Sequence, residues 1–254
     1  MSDSVNSYFT PDWPVPAHVK SAITLRTGGI SEGTYFSNNF ATHVGDDPAV
    51  VDANRRELKA LLALPAEPLW LEQIHGTDLV DAKSVSAGHR ADGSYSSDSS
   101  AVCAVLTADC LPILLCNCQG DKVAAVHAGW RGLAAGILAK AISRFSQNAD
   151  QLMVYLGPAI GATEFIVGDE VKTAFLKYSP EIDYQRAVEA AFYVYEDRFR
   201  ADLFALARAQ LSCLGVHAVY GGDLCTVRNP SRFYSFRRDV QTGRNAALIW
   251  IAGG

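Results

Sequence analysis

The segments AVCAVLTADCLPILLCN, residues 101–117, and KVAAVHAGW, residues 122–130, are nearly continuous apolar runs interrupted by turn-like polar residues. Runs of this kind are typical of strands that are covered on both faces of a sheet. From Leu133 onward, apolar residues recur every three to four positions, which predicts one helix after the last of these strands. We therefore expect buried strands whose polar ends converge near one edge of a sheet.

The rest of the chain alternates between strand-like and helix-like segments. Further strands are predicted in AITLRTGGIS (22–31), PLWLEQIH (68–75), DLVDA (78–82), LMVYLGPAIG (152–161), VHAVYGGDLC (216–225) and AALIWIA (246–252). Helices are predicted after the Asp47-Pro48 cap, in GDEVKTAFLKY (168–178) with Asp169 as its cap, and in DRFRADLFALARAQLSCLG (197–215), which stops at Gly215. Residues 33–48 read as a long loop and residues 86–100 as a linker-like stretch. No repeat recurs at a fixed period, so the pattern indicates an α/β or α+β sandwich.

Composition limits the kind of protein. A chain of 254 residues, 49% hydrophobic and 19% charged, can bury a substantial core, so we predict one domain over residues 1–254. The net charge of −5 gives no general reason to expect nucleic acid or an anionic membrane as a partner. The first 20 residues lack a basic start followed by an apolar core, and no apolar run reaches roughly 18 residues, so we expect a cytoplasmic protein with its six cysteines as free thiols. We also expect a monomer that acts on a small molecule.

Three metal-ligating residues follow predicted buried strands. His75 ends one segment, Cys110 follows a second, and His127 ends a third. Two imidazoles and a thiolate can take three positions around zinc and leave the fourth open for catalysis. The wide spacing alone is a weak signal, because a lone histidine at a strand end or a lone cysteine is more often structural.

Charged residues near these segments are candidates for holding an anion or a proton. Arg131 lies between two glycines at the start of a predicted helix, where backbone N–H groups favour an anion, and Arg26 has a similar position after a strand. Asp109 and Glu72 lie close to Cys110 and His75, so either carboxylate could orient a ligand or accept a proton. Any of these side chains could equally be an ordinary surface charge.

Several long motifs occur in the same order as in a known family. WLEQIHGTD, TADCLPILLCN, VAAVHAGWRGL, LGPAIG, GGDLCT and FYSFRRD, preceded by TLRTGGIS and NNFATHVGDDP, closely resemble the bacterial YfiH family, also called the laccase-domain or polyphenol oxidase family. The resemblance spans nearly the whole chain. It implies a compact sandwich of mixed sheets flanked by helices and a zinc site at His75, Cys110 and His127.

The same resemblance implies an activity. Members are described as purine nucleoside phosphorylases acting on adenosine, inosine and methylthioadenosine, with adenosine deaminase activity in addition. The candidate catalytic residues are then the three metal ligands. The candidate residues for binding substrate and phosphate are Arg26, Asn39, Asp109 and Arg131.

Three other functions remain open from the sequence. A copper-dependent polyphenol oxidoreductase is one, although the chain has few histidines for several coppers. A hydrolase that edits peptidoglycan precursors, with Cys110 activated by a histidine, is another. The third is a metal-stabilised binding module without turnover.

Overall fold

The computed structural model describes residues 6–253 as three sheets with flanking helices. The strands are β1 (Tyr8–Phe9), β2 (Val19–Thr24), β3 (Leu79–Asp81), β4 (Gly93–Ser96), β5 (Val102–Thr107), β6 (Leu111–Asn117), β7 (Val123–Ala128), β8 (Leu152–Leu156), β9 (Ile166–Val167), β10 (Phe192–Tyr195), β11 (Arg198–Ala201), β12 (Ala218–Gly221) and β13 (Asn245–Ile251). The helices are α1 (Pro48–Leu61), α2 (Trp130–Ala134), α3 (Ile137–Ile142), α4 (Asp169–Leu176), α5 (Ile182–Ala190), α6 (Leu203–Cys213) and α7 (Phe236–Asp239).

Two of the sheets form the sandwich. The larger has the order β12-β8-β6-β7-β4-β3 and is mixed, because β12 runs parallel to β8, and β3 parallel to β4, while the other pairs are antiparallel. The smaller has the order β1-β2-β13-β5 and is antiparallel throughout. This mixed sandwich, with helices on its outer faces, confirms the fold class expected from the sequence.

Apolar side chains fill three layers around these sheets. Between the sheets, β6 and β7 contribute Leu114, Cys116, Val123 and Ala125, which meet Ile23, Cys103, Val105 and Ile249 from the smaller sheet. The far side of the larger sheet packs against α3, α4, α5 and α6, and the far side of the smaller sheet packs against Leu58 of α1. Because β6 and β7 are buried on both faces, their near-continuous apolar sequence is what the fold requires.

The ends of several predicted elements differ from the structure. Asp47 caps α1 as expected, since its carboxylate accepts a hydrogen bond from the Ala49 N–H at 2.8 Å. Asp169 is not a cap; it is the first residue of α4, and Gly168 precedes it. The helix expected from residue 197 begins instead at Leu203 after an Asp202 cap, because residues 198–201 pair in β11.

Three predicted segments took other forms. The expected strand at 68–75 contains only isolated bridges, and the linker-like stretch at 86–100 contains strand β4, in the larger sheet. The single helix expected from Leu133 is two short helices, because Gly136 adopts a left-handed conformation between them.

All six cysteines are free thiols, as predicted. Within residues 6–253, no helix combines the length and apolar character needed to cross a membrane.

Candidate metal centre

Strand pairing brings Cys110 and His127 to the same end of the sandwich. The chain leaves the smaller sheet at Thr107, turns through Asp109, and enters the larger sheet at Leu111. The first residue of β6, Leu111, pairs with the last residue of β7, Ala128. The residue before β6 and the end of β7 therefore meet, as the expected convergence of polar strand ends requires.

His75 reaches the same point from a loop that two side chains hold. The Gln73 side-chain amide donates to the Leu106 carbonyl oxygen at 2.8 Å and accepts from the Leu106 N–H at 2.7 Å, which fixes the loop to the end of β5. Asp92, directly before β4, accepts hydrogen bonds from the backbone N–H groups of Ile74, His75 and Gly76. These contacts hold the loop while the His75 backbone adopts a φ of +58°.

The three candidate ligands form one cluster. The Cys110 Sγ lies 3.7 Å from the His75 Nε2, and the ligand atoms of His75, Cys110 and His127 all lie within 4.8 Å of one another. Tetrahedral zinc with ordinary Zn–S and Zn–N bonds separates a sulfur and a nitrogen donor by roughly 3.5 Å. His127 is buried, Cys110 is half-buried and His75 is exposed, so the cluster is open on one side. Its donor atoms and spacing therefore fit a metal with an accessible coordination position.

Asp92 connects two of these ligands through one oxygen. Its Oδ1 accepts from the His75 backbone N–H and from the His127 Nδ1–H, both at 2.8 Å. The carboxylate is fully buried; burial opposes its ionisation, but the hydrogen bonds from His127 and from the Gly76 N–H lower its pKa. With a proton held on Nδ1, His127 directs its Nε2 toward the cluster.

Cys110 and His127 form a charge pair in the protein without metal. Burial favours the neutral thiol, but the positive charge of His127 and its hydrogen bond lower the pKa of Cys110 to about 6. Burial also favours a neutral His127, but the Cys110 thiolate and the Asp92 hydrogen bond raise its pKa to about 9. A thiolate ready to bind a metal is therefore present at neutral pH.

Two glycines allow the elements around the cluster to approach closely. A Cβ atom added at Gly129 would lie 2.9 Å from His75 Cδ2 and 3.1 Å from the Cys110 Sγ. One added at Gly132 would lie 2.6 Å from the Gly76 carbonyl oxygen. The two glycines of the α2 turn thus make room for the loop that carries His75.

A cavity of about 260 Å³ opens onto the cluster. Besides the three ligands, its walls include His43, Gln73, Phe236 and Arg244. Burial and the charges of Arg244 and Arg55 lower the pKa of His43, which keeps its imidazole neutral near pH 7. Burial also lowers the pKa of Arg244, yet a guanidinium stays charged in proteins, so Arg244 brings a positive charge to the cavity.

Arg131 and Arg26, two of the residues predicted to bind phosphate or substrate, do not line the cavity at the cluster. Arg131 lies over the Trp130 ring and lines a separate surface depression beside Asp169 and Glu170. The Arg26 guanidinium donates to the carbonyl oxygens of Phe36 and Pro230.

Two further predicted residues have structural hydrogen bonds. The buried Asn39 donates to the Ala41 carbonyl oxygen and the Asp46 carboxylate. The Asp109 carboxylate accepts from the Thr226 hydroxyl and the Arg237 N–H, and it lines a second chamber next to Cys110. Glu72, the other carboxylate weighed from the sequence, pairs with Arg90 at the surface.

Sequence reasoning missed Asp92, His43, Gln73 and Arg244. Asp92 lies in the stretch that reads as a linker, and His43 in a loop without periodicity. Arg244 lies directly before the last strand and reaches the cluster only through the fold. The one usable signal was the long polar loop around His43, since such loops often carry function.

Comparison with known proteins gives a consistent result. The family model described as multi-copper polyphenol oxidoreductase laccase matches residues 20–252. The purine nucleoside phosphorylase YfiH of Escherichia coli is 44% identical over 248 residues, covering 97% of this chain and 100% of that protein. A purine nucleoside phosphorylase of Pseudomonas aeruginosa is 45% identical over 249 residues, covering 97% and 99%. The crystal structure of a Neisseria meningitidis protein of family DUF152 superposes with a TM-score of 0.91 at 46% identity, covering 98% of this chain and 100% of that one.

Proposed function

Since the chain belongs to the laccase-like YfiH family, we propose that it is a zinc-dependent purine nucleoside phosphorylase acting on adenosine, inosine and methylthioadenosine. The observation that carries this proposal is the His75, Cys110 and His127 cluster, open to a cavity that a guanidinium also lines. The names of the related proteins supply the reaction class. The guanidinium and the neutral imidazole that line the cavity support this reaction class.

The donor set supports zinc as the metal. Two imidazoles and one thiolate, with one position left open, are typical of catalytic zinc sites. When bound, zinc would supply a Lewis acid at the cavity side of the cluster. Asp92 would keep His127 in the tautomer that binds metal, and the lowered pKa of Cys110 would supply the thiolate.

In phosphorolysis, a phosphate oxygen attacks the anomeric carbon of the ribose, the bond from that carbon to the purine nitrogen breaks, and the leaving base takes a proton. The products are the free base and ribose 1-phosphate. We assign phosphate binding to Arg244 in place of Arg26 and Arg131, because its guanidinium lines the cavity. His43 is the candidate for moving the proton, since its neutral imidazole lies in the same cavity.

A neighbouring groove supports the wider substrate range. It measures about 410 Å³ and shares His43, Gln73 and Leu106 with the cavity at the cluster. This groove leaves space for a substituent on the ribose, such as the methylthio group. Adenosine deamination, in which water replaces the amino group of the base, would use the same neutral His43 for proton transfer.

A multi-copper oxidase has less support from this chain. The His75, Cys110 and His127 donors also suit copper, and the family description names a copper oxidoreductase. Among the residues that the structure describes, however, only this one group of three metal-ligating side chains is found. A multinuclear oxygen site requires further imidazoles close by.

A cysteine hydrolase acting on peptidoglycan precursors is the second candidate, and the pKa of about 6 for Cys110 favours it. Stoichiometric acyl transfer to Cys110 in the metal-free protein, detected by intact-mass spectrometry, would support it. Protection of Cys110 from alkylation by stoichiometric zinc would support metal ligation instead.

The test of the proposal is chromatography of adenosine incubated with zinc-loaded protein, with and without phosphate, using Cys110→Ala as the control. We expect adenine and ribose 1-phosphate only when phosphate and the native cluster are both present. Inosine formed without phosphate would add deamination. Unchanged adenosine in every reaction would refute the proposal.

The cytoplasmic location and the monomeric state also belong to the proposal. The six free thiols are consistent with a reducing compartment. Light scattering of the purified protein would test the monomer directly, with a mass near 27.4 kDa as the expected result.

A further inference from the structure

A second chamber also borders Cys110, and neither Arg244 nor His43 lines it. It measures about 150 Å³, and its walls include Trp130, Ile160, Phe165 and Leu203. It shares Ala108, Cys110 and Phe236 with the cavity at the cluster, so the two spaces adjoin at the metal ligand. None of the groups proposed above to act on phosphate or protons lines this chamber.

The cavity and the chamber together are large enough for one small-molecule ligand. Small-molecule sites usually measure roughly 300 to 1,000 Å³. The cavity at the cluster, about 260 Å³, falls below this range alone and enters it together with the chamber, as it also does with the groove beside His43. A ligand that fills both has one half in polar surroundings and the other among aromatic and aliphatic side chains, with the junction beside Cys110.

Trp130 lines the chamber and is held by a neighbouring cation. It begins α2, and it lines both the chamber and the surface depression that contains Arg131. The Arg131 guanidinium carbon lies 4.4 Å from the ring centroid, a cation–π contact that fixes the ring. A wall made of aromatic faces binds a planar, weakly polar ring by stacking.

The carboxylate in the chamber is already engaged. The two oxygens of Asp109 accept from the Thr226 hydroxyl and from the Arg237 backbone N–H, at 2.5 and 2.6 Å. Arg237 also lines the chamber, but its guanidinium donates to the Glu164 carbonyl oxygen, so stacking and shape are the main means of recognition that the chamber offers. Such recognition selects the size of a ring system more strongly than its exocyclic groups.

We propose that this chamber is the subsite for the purine base, with Trp130 as the stacking residue. The inference rests on the proposed phosphorylase function and deepens it. The base occupies the chamber, the ribose lies at Cys110, and phosphate enters from the Arg244 side. The glycosidic bond is thereby placed at the metal cluster. Adenine and hypoxanthine bind alike, and a single pyrimidine ring binds more weakly.

Kinetics of Trp130→Ala and Trp130→Phe test the proposal. We expect Trp130→Ala to raise the KM for adenosine roughly 10- to 100-fold, the range for loss of a base-stacking aromatic, with the KM for phosphate and the zinc content unchanged. Trp130→Phe keeps a ring and should restore the KM to within a few-fold. An unchanged adenosine KM in Trp130→Ala would overturn the assignment.

A binding measurement separates this proposal from the proposed function. Free adenine should quench the tryptophan fluorescence of the wild-type protein, and Trp130→Phe should lose that quenching while still binding adenine by calorimetry. Trp13→Phe, which changes a buried tryptophan packed on Tyr155, is the matched control and should keep the quenching.

The outcomes differ for the two hypotheses. Adenine binding and quenching through Trp130 in a protein that cleaves no nucleoside would refute the phosphorylase function and leave the chamber as a purine site. Turnover of adenosine with adenine quenching that persists in Trp130→Phe would refute the chamber and leave the function. Because adenine binding needs no turnover, an Ala variant that fails to fold does not prevent the test.

Discussion

Replacing Asp92 with asparagine should weaken metal binding although Asp92 contributes no donor to the cluster. The carboxylate accepts four hydrogen bonds, two on each oxygen. Asparagine keeps one oxygen and presents an N–H₂ group where the other was. If the amide nitrogen faces His127, the ring must carry its proton on Nε2 and cannot bind metal through that atom. If the amide nitrogen faces the backbone, it lies against the N–H groups of Ile74 and Gly76, and no hydrogen bond forms because all of these groups are donors.

The magnitude follows from these contacts. Either orientation removes two hydrogen bonds to a buried charged group, each worth roughly 1.5 to 3 kcal/mol, so the free energy of unfolding should fall by about 3 to 6 kcal/mol. Loss of a carboxylate that orients a metal-binding histidine typically reduces metal affinity 10- to 100-fold. Zinc should therefore stabilise the variant less than the wild type, because the gain from a bound ligand depends on its affinity.

The assay is competition for zinc against a chelator of known affinity, together with thermal unfolding with and without zinc. Asp202→Asn is the matched control, because Asp202 caps α6 away from the cluster and asparagine caps a helix equally well. We expect the control to keep wild-type zinc affinity. Wild-type zinc affinity in Asp92→Asn would refute the orienting role, even if the variant were less stable.

Three further outcomes follow from the geometry. In the metal-free protein, the rate of Cys110 alkylation by iodoacetamide should rise through about pH 6 and then level off, because the pKa of the thiol is lowered to about 6; a rate still rising at pH 9 would contradict the His127 pairing. Gly129→Ala should lower zinc affinity at least 10-fold in the chelator assay, since the new Cβ would lie 3.1 Å from the Cys110 Sγ. Arg244→Gln should raise the KM for phosphate at least 10-fold and change the adenosine KM little. Arg131→Gln should leave the KM for phosphate within about twofold. The reverse result would indicate that phosphate binds at the start of α2.

The strands were predictable where the pattern of apolar residues in the sequence matches the burial of the strand in the fold. Strands β5, β6 and β7 are covered on both faces, and the continuous apolar runs that this requires are visible in the sequence. Strand β4 was missed because its residues are Gly, Ser and Tyr, and its place between β3 and β7 is set by pairing with distant residues. Strand β11 was read as helix because the apolar spacing of α6 continues into it, and pairing with β10 outweighs that local pattern.

The candidate site was predictable only at its three candidate metal ligands. His75, Cys110 and His127 follow apolar segments, and a sheet brings the ends of its strands together. No comparable sequence signal marks Asp92, His43 and Arg244, because their positions in the site depend on which loops meet at the end of the sandwich. Arg131 shows the converse: its place at a helix start is as predicted, yet its guanidinium lies over Trp130 and away from the cavity.

Two residues of the candidate site have a strained backbone. His75 and Asp109 have φ values of +58° and +91°, a region that costs a non-glycine residue roughly 1 to 3 kcal/mol. Glycine would relieve the strain at either position, but it would remove the metal donor at one and the carboxylate at the other. Buried hydrogen bonds hold both conformations, to Asp92 at the His75 loop and from Thr226 to Asp109 itself. Of the non-glycine residues with positive φ in the described part of the chain, these two lie beside Cys110, whereas Ala63, Glu196 and Val240 lie elsewhere in the sequence.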